Sequence, residues 1–193
     1  LAGDALTDAD RNVAIGYSAM TTNVLGSESV AIGAFALNSQ NPATATNMYN
    51  VAIGHNTGAS VTTGIRNTLV GAFAGDAITT ATDSVALGTS ALSSVTTGNY
   101  NTAVGTSSGD AITTGTENTS LGYNSLTGIT TGNYNTGIGK GALASDTLGS
   151  QSVAVGANAL QTQNFTTASN ALNTGVGYYA GQSVTTGNNN TFV

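Results

Sequence analysis

Branched aliphatic residues recur along this chain in one fixed phase, each directly before a glycine. The pairs are Ile15-Gly16, Ile32-Gly33, Ile53-Gly54, Val70-Gly71, Leu87-Gly88, Val104-Gly105, Leu121-Gly122, Ile138-Gly139, Val155-Gly156 and Val176-Gly177. Successive glycines are 17 residues apart, except for two intervals of 21, from Gly33 to Gly54 and from Gly156 to Gly177. With the glycine as position 0, position −3 is Val or Thr (Val13, Val30, Thr102, Thr174), and position −4 is Asn or Ser (Asn12, Ser29, Asn50, Asn67, Ser84, Asn101). Position −2 is mostly small (Ala14, Ala31, Ala86, Gly137, Gly175). Alternation with period two and β-branched enrichment predict a short strand over positions −4 to −1. The aliphatics at −3 and −1 are expected to point inward, and the small −2 residues to face another backbone or another chain.

A second pattern follows each glycine. Position +3 is small (Ala19, Ala36, Ala74, Ala91), +4 is Leu, Met or Gly, and +7 is often Val or Ile (Val61, Ile78, Val95, Ile112, Ile129). A further glycine stands at +10 in Gly26, Gly64, Gly98, Gly115, Gly132, Gly149 and Gly187. It is expected to supply a turn with φ > 0, after a second short strand. A fixed period of this length marks a solenoid, in which each repeat is one rung. The fold class is therefore all-β: parallel rungs rising roughly 4.8 Å each, and a rod segment roughly 50 Å long. Like residues then stack in columns, and the Asn/Ser column is placed to form a side-chain ladder. Residues 1–193 form one continuous array, with residues 1–11 as an N-terminal lead-in. The extra residues, within 39–49 and 161–172, are expected to bulge outward as loops.

Composition narrows the function classes. Charged residues are 6% of the chain, against about 25% in ordinary soluble domains. Only Arg11, Arg66 and Lys140 are cationic and the net charge is −6, which disfavours nucleic acid as a partner. There is no cysteine, hence no disulfide framework or thiolate site. No apolar run approaches the ~20 residues of a membrane span, so direct membrane insertion is not expected.

Candidate chemistry is sparse, and neither an enzyme nor a cofactor or metal is expected. The single histidine, His55, lies in a variable column with Tyr17, Ala34, Ala72, Thr89 and Lys140, which reads as a solvated position. The segment Gly137-Ile138-Gly139-Lys140-Gly141 has neither phosphate-loop nor dinucleotide spacing. Asp8-Ala9-Asp10-Arg11-Asn12 lacks the glycine and glutamate of a calcium loop. Asp76 and Asp110 share a column but stand two rungs apart, roughly 9–10 Å, too far for a carboxylate dyad. Asn118, Asn164 and Asn189 begin Asn-x-Ser/Thr triplets, of which only Asn164 lies in an insertion. Thr pairs such as Thr62-Thr63 and Thr96-Thr97 would stack into a threonine array, a minor case for ice binding.

Recognition, if any, belongs to two places. Position −5 carries large, mixed side chains, and Arg11, Tyr49, Arg66, Tyr100 and Tyr134 form the candidate partner-binding rim. The insertions carry the loop candidates Pro42, Met48 and Phe165.

The nonamers Asn12–Met20, Ser29–Leu37, Ser84–Leu92 and Ser152–Leu160 resemble the head repeats of YadA-like trimeric autotransporter adhesins. The variants Asn101–Gly109 and Asn135–Leu143 are similar to repeats of phage tail fibres. The resemblance covers nearly the whole chain. It implies a left-handed parallel β-roll, a homotrimer, and an extracellular role in adhesion to a host-cell surface protein or glycan, or as a fibre shaft. Those head repeats are shorter, near 14 residues, so the turns here are longer. A thin core per rung also argues for association of chains. A self-assembling extracellular filament is the alternative reading.

Overall fold

The structure, a computed structural model, describes residues 1–193. It contains no helix and is a β-solenoid with one rung per repeat. One parallel sheet of 11 strands runs its length, in chain order. The strands are Val13–Ile15, Val30–Ile32, Val51–Ile53, Thr68–Val70, Val85–Leu87, Thr102–Val104, Thr119–Leu121, Thr136–Ile138, Val153–Val155, Thr174–Val176 and Thr191–Phe192. The register is column on column: Val85 pairs Thr102, Ala86 pairs Ala103, Leu87 pairs Val104.

The expected inward and outward faces are exchanged. The −2 column is the buried one: Ala31, Ala52, Leu69, Ala86, Ala103 and Ala154 are fully shielded, as are the −4 residues Asn50, Asn67, Asn101 and Asn135. The −3 and −1 aliphatics turn outward, with Ile15 57% and Leu121 44% exposed. The reason is the narrow rung. The core is already occupied by +4 and +7 side chains such as Leu92, Leu126, Ile112 and Ile129, which leaves space only for small residues opposite. A Cβ added to Gly137 would lie 3.0 Å from Leu126 Cγ, and one added to Gly175 would lie 2.9 Å from Leu160 Cγ. Where −2 is large, the facing +4 is glycine: Leu69 fills the space over Gly58, and Phe192 that over Gly181.

Three ladders hold the rungs together. The amide column forms as the sequence suggests. Asn118 Nδ2 donates to Gly132 O (2.9 Å), and its Oδ1 accepts from Asn135 N (3.0 Å). The marker glycines stack backbone on backbone at φ of 124–140°, and a Cβ on Gly105 would sit 2.7 Å from Gly122 O. The glycines at +10, in contrast, do not have positive φ. They are needed because the next rung passes too close: a Cβ on Gly115 would lie 2.5 Å from Gly132 O. The segment between +3 and +10 is mostly turn rather than a second strand, and strand pairing there is confined to Gly26–Ser27 with Thr46–Asn47 and Gly149–Ser150 with Ser169–Asn170.

Positive φ falls instead on columns −5, +2 and +4, where Arg, Tyr, Phe and Leu take left-handed corners: Tyr100 at 59°, Phe73 at 59°, Leu92 at 51°. The N-terminal lead-in also belongs to the rod. Gly3-Asp4-Ala5-Leu6-Thr7 repeats the phase of Gly75-Asp76-Ala77-Ile78-Thr79, and Gly3 N donates to Ala19 O (2.8 Å).

The two insertions correspond position for position, with Gly33 and Gly156 separated by 123 residues. Each replaces the aliphatic +7 column by buried polar residues on two successive rungs, Asn23 with Gln40 and Asp146 with Gln163. Gln40 Oε1 accepts from Asn50 Nδ2 (3.0 Å), as Gln163 Oε1 accepts from Asn173 Nδ2 (2.8 Å). Asp146 accepts from Gln163 Nε2 (2.6 Å), Phe165 N (3.0 Å) and Gly149 N (3.1 Å), so this buried carboxylate is fully hydrogen-bonded.

Candidate functional site

The most extensive unusual surface is the outward face of the long sheet. It presents Val13, Ile15, Ile53, Leu121, Val153 and Val176 to solvent, in a −1 column that is aliphatic throughout and a −3 column that is shared between valines and threonines such as Thr68 and Thr119. These residues are β-branched or large because short strands favour them, and they are out because the inside is full. Eleven rungs at roughly 4.8 Å and a width of three residues give a band on the order of 500 Å². None of the residues in its −3 and −1 columns is charged.

The rim residues of position −5 lie at one corner of the rung, all in left-handed backbone at φ of 53–61°. Arg11 is ion-paired with Glu28. Arg66 holds Asp83 through two hydrogen bonds, Nε to Oδ1 (2.6 Å) and Nη2 to Oδ2 (2.7 Å). That guanidinium keeps the Asp83 carboxyl below its ordinary range. Both rim arginines are thus engaged with the next rung. Tyr49, Tyr100 and Tyr134 are exposed, but Glu117 intervenes between the last two, and Tyr49 stands three rungs before Tyr100. The rim is a spaced row and not one patch.

The loop candidates are placed differently from the expectation. Met48 is completely buried, Pro42 is buried, and Phe165 is 7% exposed. They are the feet of the insertions: Pro42 Cδ and Met48 Cγ close over Gly26, each 3.1 Å from where its Cβ would be. Apolar side chains in a loop that folds back on a solenoid cover its core, so these three do not meet solvent. The exposed tips are Ala43-Thr44-Ala45 and Thr166-Thr167-Ala168.

An aromatic row, spread over two columns of the repeat, runs along one edge of the rungs. Tyr17, Phe35, His55 and Phe73 stand on four successive rungs, ring centroids 5.3, 6.2 and 5.4 Å apart, each edge-on to the next. The row alternates between columns +1 and +2, so neither column alone reveals it. A second pair, Tyr178 and Tyr179, lies near the other end with centroids 4.1 Å apart.

The threonine array is half consumed within the chain. Thr62, Thr79 and Thr113 each donate their hydroxyl to the carbonyl of Thr79, Thr96 and Thr130 on the next rung (3.1, 3.0 and 3.1 Å). Only the second threonine of each pair, such as Thr63 or Thr97, is exposed. Asp76 and Asp110 are half-buried, and loss of water raises the pKa of both. Asp76 Oδ1 has no hydrogen-bond partner. The surface has no pocket, and no three metal-ligating side chains converge.

What this arrangement offers is therefore a long apolar band, a row of exposed tyrosines and an aromatic edge. It suits contact with an extended surface. Comparison with protein families, with curated proteins and with solved structures finds no match to this chain.

Proposed function

We propose that this chain is a segment of an extracellular structural fibre or adhesin, non-enzymatic, built as a left-handed β-roll in which three copies associate side by side. It belongs on a bacterial surface or a virion fibre, where it holds or extends a contact to a host-cell surface protein or glycan. The observation that carries the reading is the outward aliphatic band. The largest apolar patch of an ordinary monomer is about 300–600 Å² and often functional; this band is of that order, and its aliphatic −1 column runs unbroken along the rod. Turned toward a common threefold axis, three such bands would shield one another in a closed assembly. The nonamers that resemble trimeric adhesin heads support the same number of chains.

Sedimentation equilibrium of the chain tests the assembly. A single species of three chain masses is expected, and a stable monomer or an open series of polymers would refute it. Replacing Ile53 and Leu121 by lysine, both exposed on the band, is expected to shift the species toward monomer while the rungs stay folded. Binding to host cells or a glycan array separates an adhesive head from a passive shaft.

A further inference from the structure

We propose that the aromatic row on the first four marker rungs is a register key, which fixes the axial alignment of this chain against a second copy of itself. The inference rests on the reading that copies associate through the aliphatic band. That band holds chains together but aligns them only weakly, because its −3 column varies only between the near-isosteric Val and Thr. Its −1 column is aliphatic on every rung, so a one-rung slip sets Ile53 where Val70 was and Val70 where Leu87 was. Each slip loses the overlap of a single rung, and periodic faces of this kind specify register weakly. The partner has to be another ladder of the same rise, because only equal spacing keeps contact along the whole rod. A second copy of this chain has that spacing.

The row breaks the degeneracy. Tyr17 and His55 stand two residues, and Phe35 and Phe73 three residues, after the −1 aliphatic of their rung, across the marker-glycine turn at the edge of the band. Tyr17 is 70% exposed and Phe73 39% exposed. On the next rungs the same columns carry Thr89, Ser90, Thr106 and Ser107. A slip therefore takes rings off rings and sets them against small hydroxyls. Phe35 and Phe73 hold φ of 61° and 59°, a left-handed backbone that is unusual for a bulky residue. Ser90 and Ser107 meet the same corner at 56° and 51° with less crowding. Every rung takes this corner, so what sets the row apart is the large ring surface it leaves in solvent, which points to a contact beyond the chain itself. Tyr178 and Tyr179 form a ring pair near the opposite end, and between the two groups Tyr123 is the one aromatic in these columns, without an aromatic on either adjacent rung.

The test uses the full chain with Tyr17→Thr, Phe35→Ser, His55→Thr and Phe73→Ser together. Each introduced residue type already occupies its column elsewhere, so the rungs are expected to fold, and far-ultraviolet circular dichroism checks that they do. Staggered copies leave an overhang of bare band at each end, on which further copies dock. Sedimentation velocity with light scattering is expected to show one discrete species for the native chain. For the variant it should show a broad, concentration-dependent series whose weight-average mass is at least about twofold higher. Adding Thr89→Tyr and Ser107→Phe to the variant builds a new row that ends on the native Tyr123, and should restore the discrete species. A variant that stays discrete at native size overturns the key. A variant that falls to monomer also overturns it, because the rings then supply adhesion and not alignment. A native chain that is itself monomeric overturns the underlying reading instead.

Discussion

Replacing Gly105 by alanine tests the ladder on which the rod depends. Two separate costs meet at this position. Its φ is +131°, outside the range open to L side chains, and strain of this kind costs about 1–3 kcal/mol. The new methyl would also stand 2.7 Å from the carbonyl oxygen and 2.8 Å from the carbonyl carbon of Gly122. That neighbour cannot yield, because Gly122 is stacked in the same way on Gly139. Forcing an extra carbon into a rigid contact costs about 1–3 kcal/mol more. The expected loss is about 4 kcal/mol, which for a chain of this size lowers the melting midpoint by roughly 8–16 °C. Gly109→Ala is the matched control on the same rung. Its φ is +59°, where the same column holds Leu126 at 51°, and its methyl would meet only the flexible ends of Ile112 and Leu92 at 3.1 Å. It should cost about 1 kcal/mol. Scanning calorimetry and urea unfolding of both variants decide the matter. Each rung contacts only its neighbours, so hydrogen exchange should place the Gly105→Ala damage on the rungs flanking residue 105. Equal losses in the two variants would refute the claim that stacked backbone, and not glycine flexibility in general, fixes this column.

Two further outcomes follow from the packing and the charges. Leu69→Ala should cost about 2–5 kcal/mol by opening a cavity. Gly58→Leu should recover part of that loss in the double variant, because the space shared by Leu69 and Gly58 is filled from the opposite side in other rungs; additive losses in a double-mutant cycle would reject this complementarity. For Asp76, loss of water raises the pKa above its ordinary value of 3.8, so the folded state holds the proton more tightly than the unfolded chain. The ionised form therefore opposes folding, with a penalty that grows as pH rises from 3.8 through the folded value and disappears below 3.8. Asp76→Asn should raise the urea midpoint at pH 7 and leave it unchanged at pH 3, and an equal gain at both would exclude ionisation as the cause.

The period, the strand positions and the amide ladder were legible because each depends on one column repeated along the chain. The direction in which the strands face was not. Ile32 and Val104 look like core residues in any ordinary sheet, and only the size of the rung sends them outward. The signal was present in the company they keep: a −4 column that is always Asn or Ser implies burial with hydrogen bonds, and a small −2 column beside it implies a crowded interior. Pro42, Met48 and Phe165 were misplaced for a related reason. An insertion suggests exposure, but Gln40 and Gln163 in the apolar +7 column already mark a polar network roofed by those side chains. The left-handed corners at Tyr100 and Leu92 left no trace in residue type, because the stack and not local preference imposes them. The aromatic row escaped because its members alternate between two columns.

The matched insertions also bear on how such a rod changes over generations. Since every rung offers the same joints above and below, a block of whole rungs copied within the gene slots in without a new interface having to evolve. The 123-residue correspondence between Gly33 and Gly156 has the form of such a copy. Its two members differ in a compensated way, Pro42 with Met48 in one and the larger Phe165 with the smaller Ala171 in the other. Reach is thus a quantity set in steps of a rung, while the marker glycine and the Asn or Ser beneath it recur in each rung and the corners and tips differ from one rung to the next.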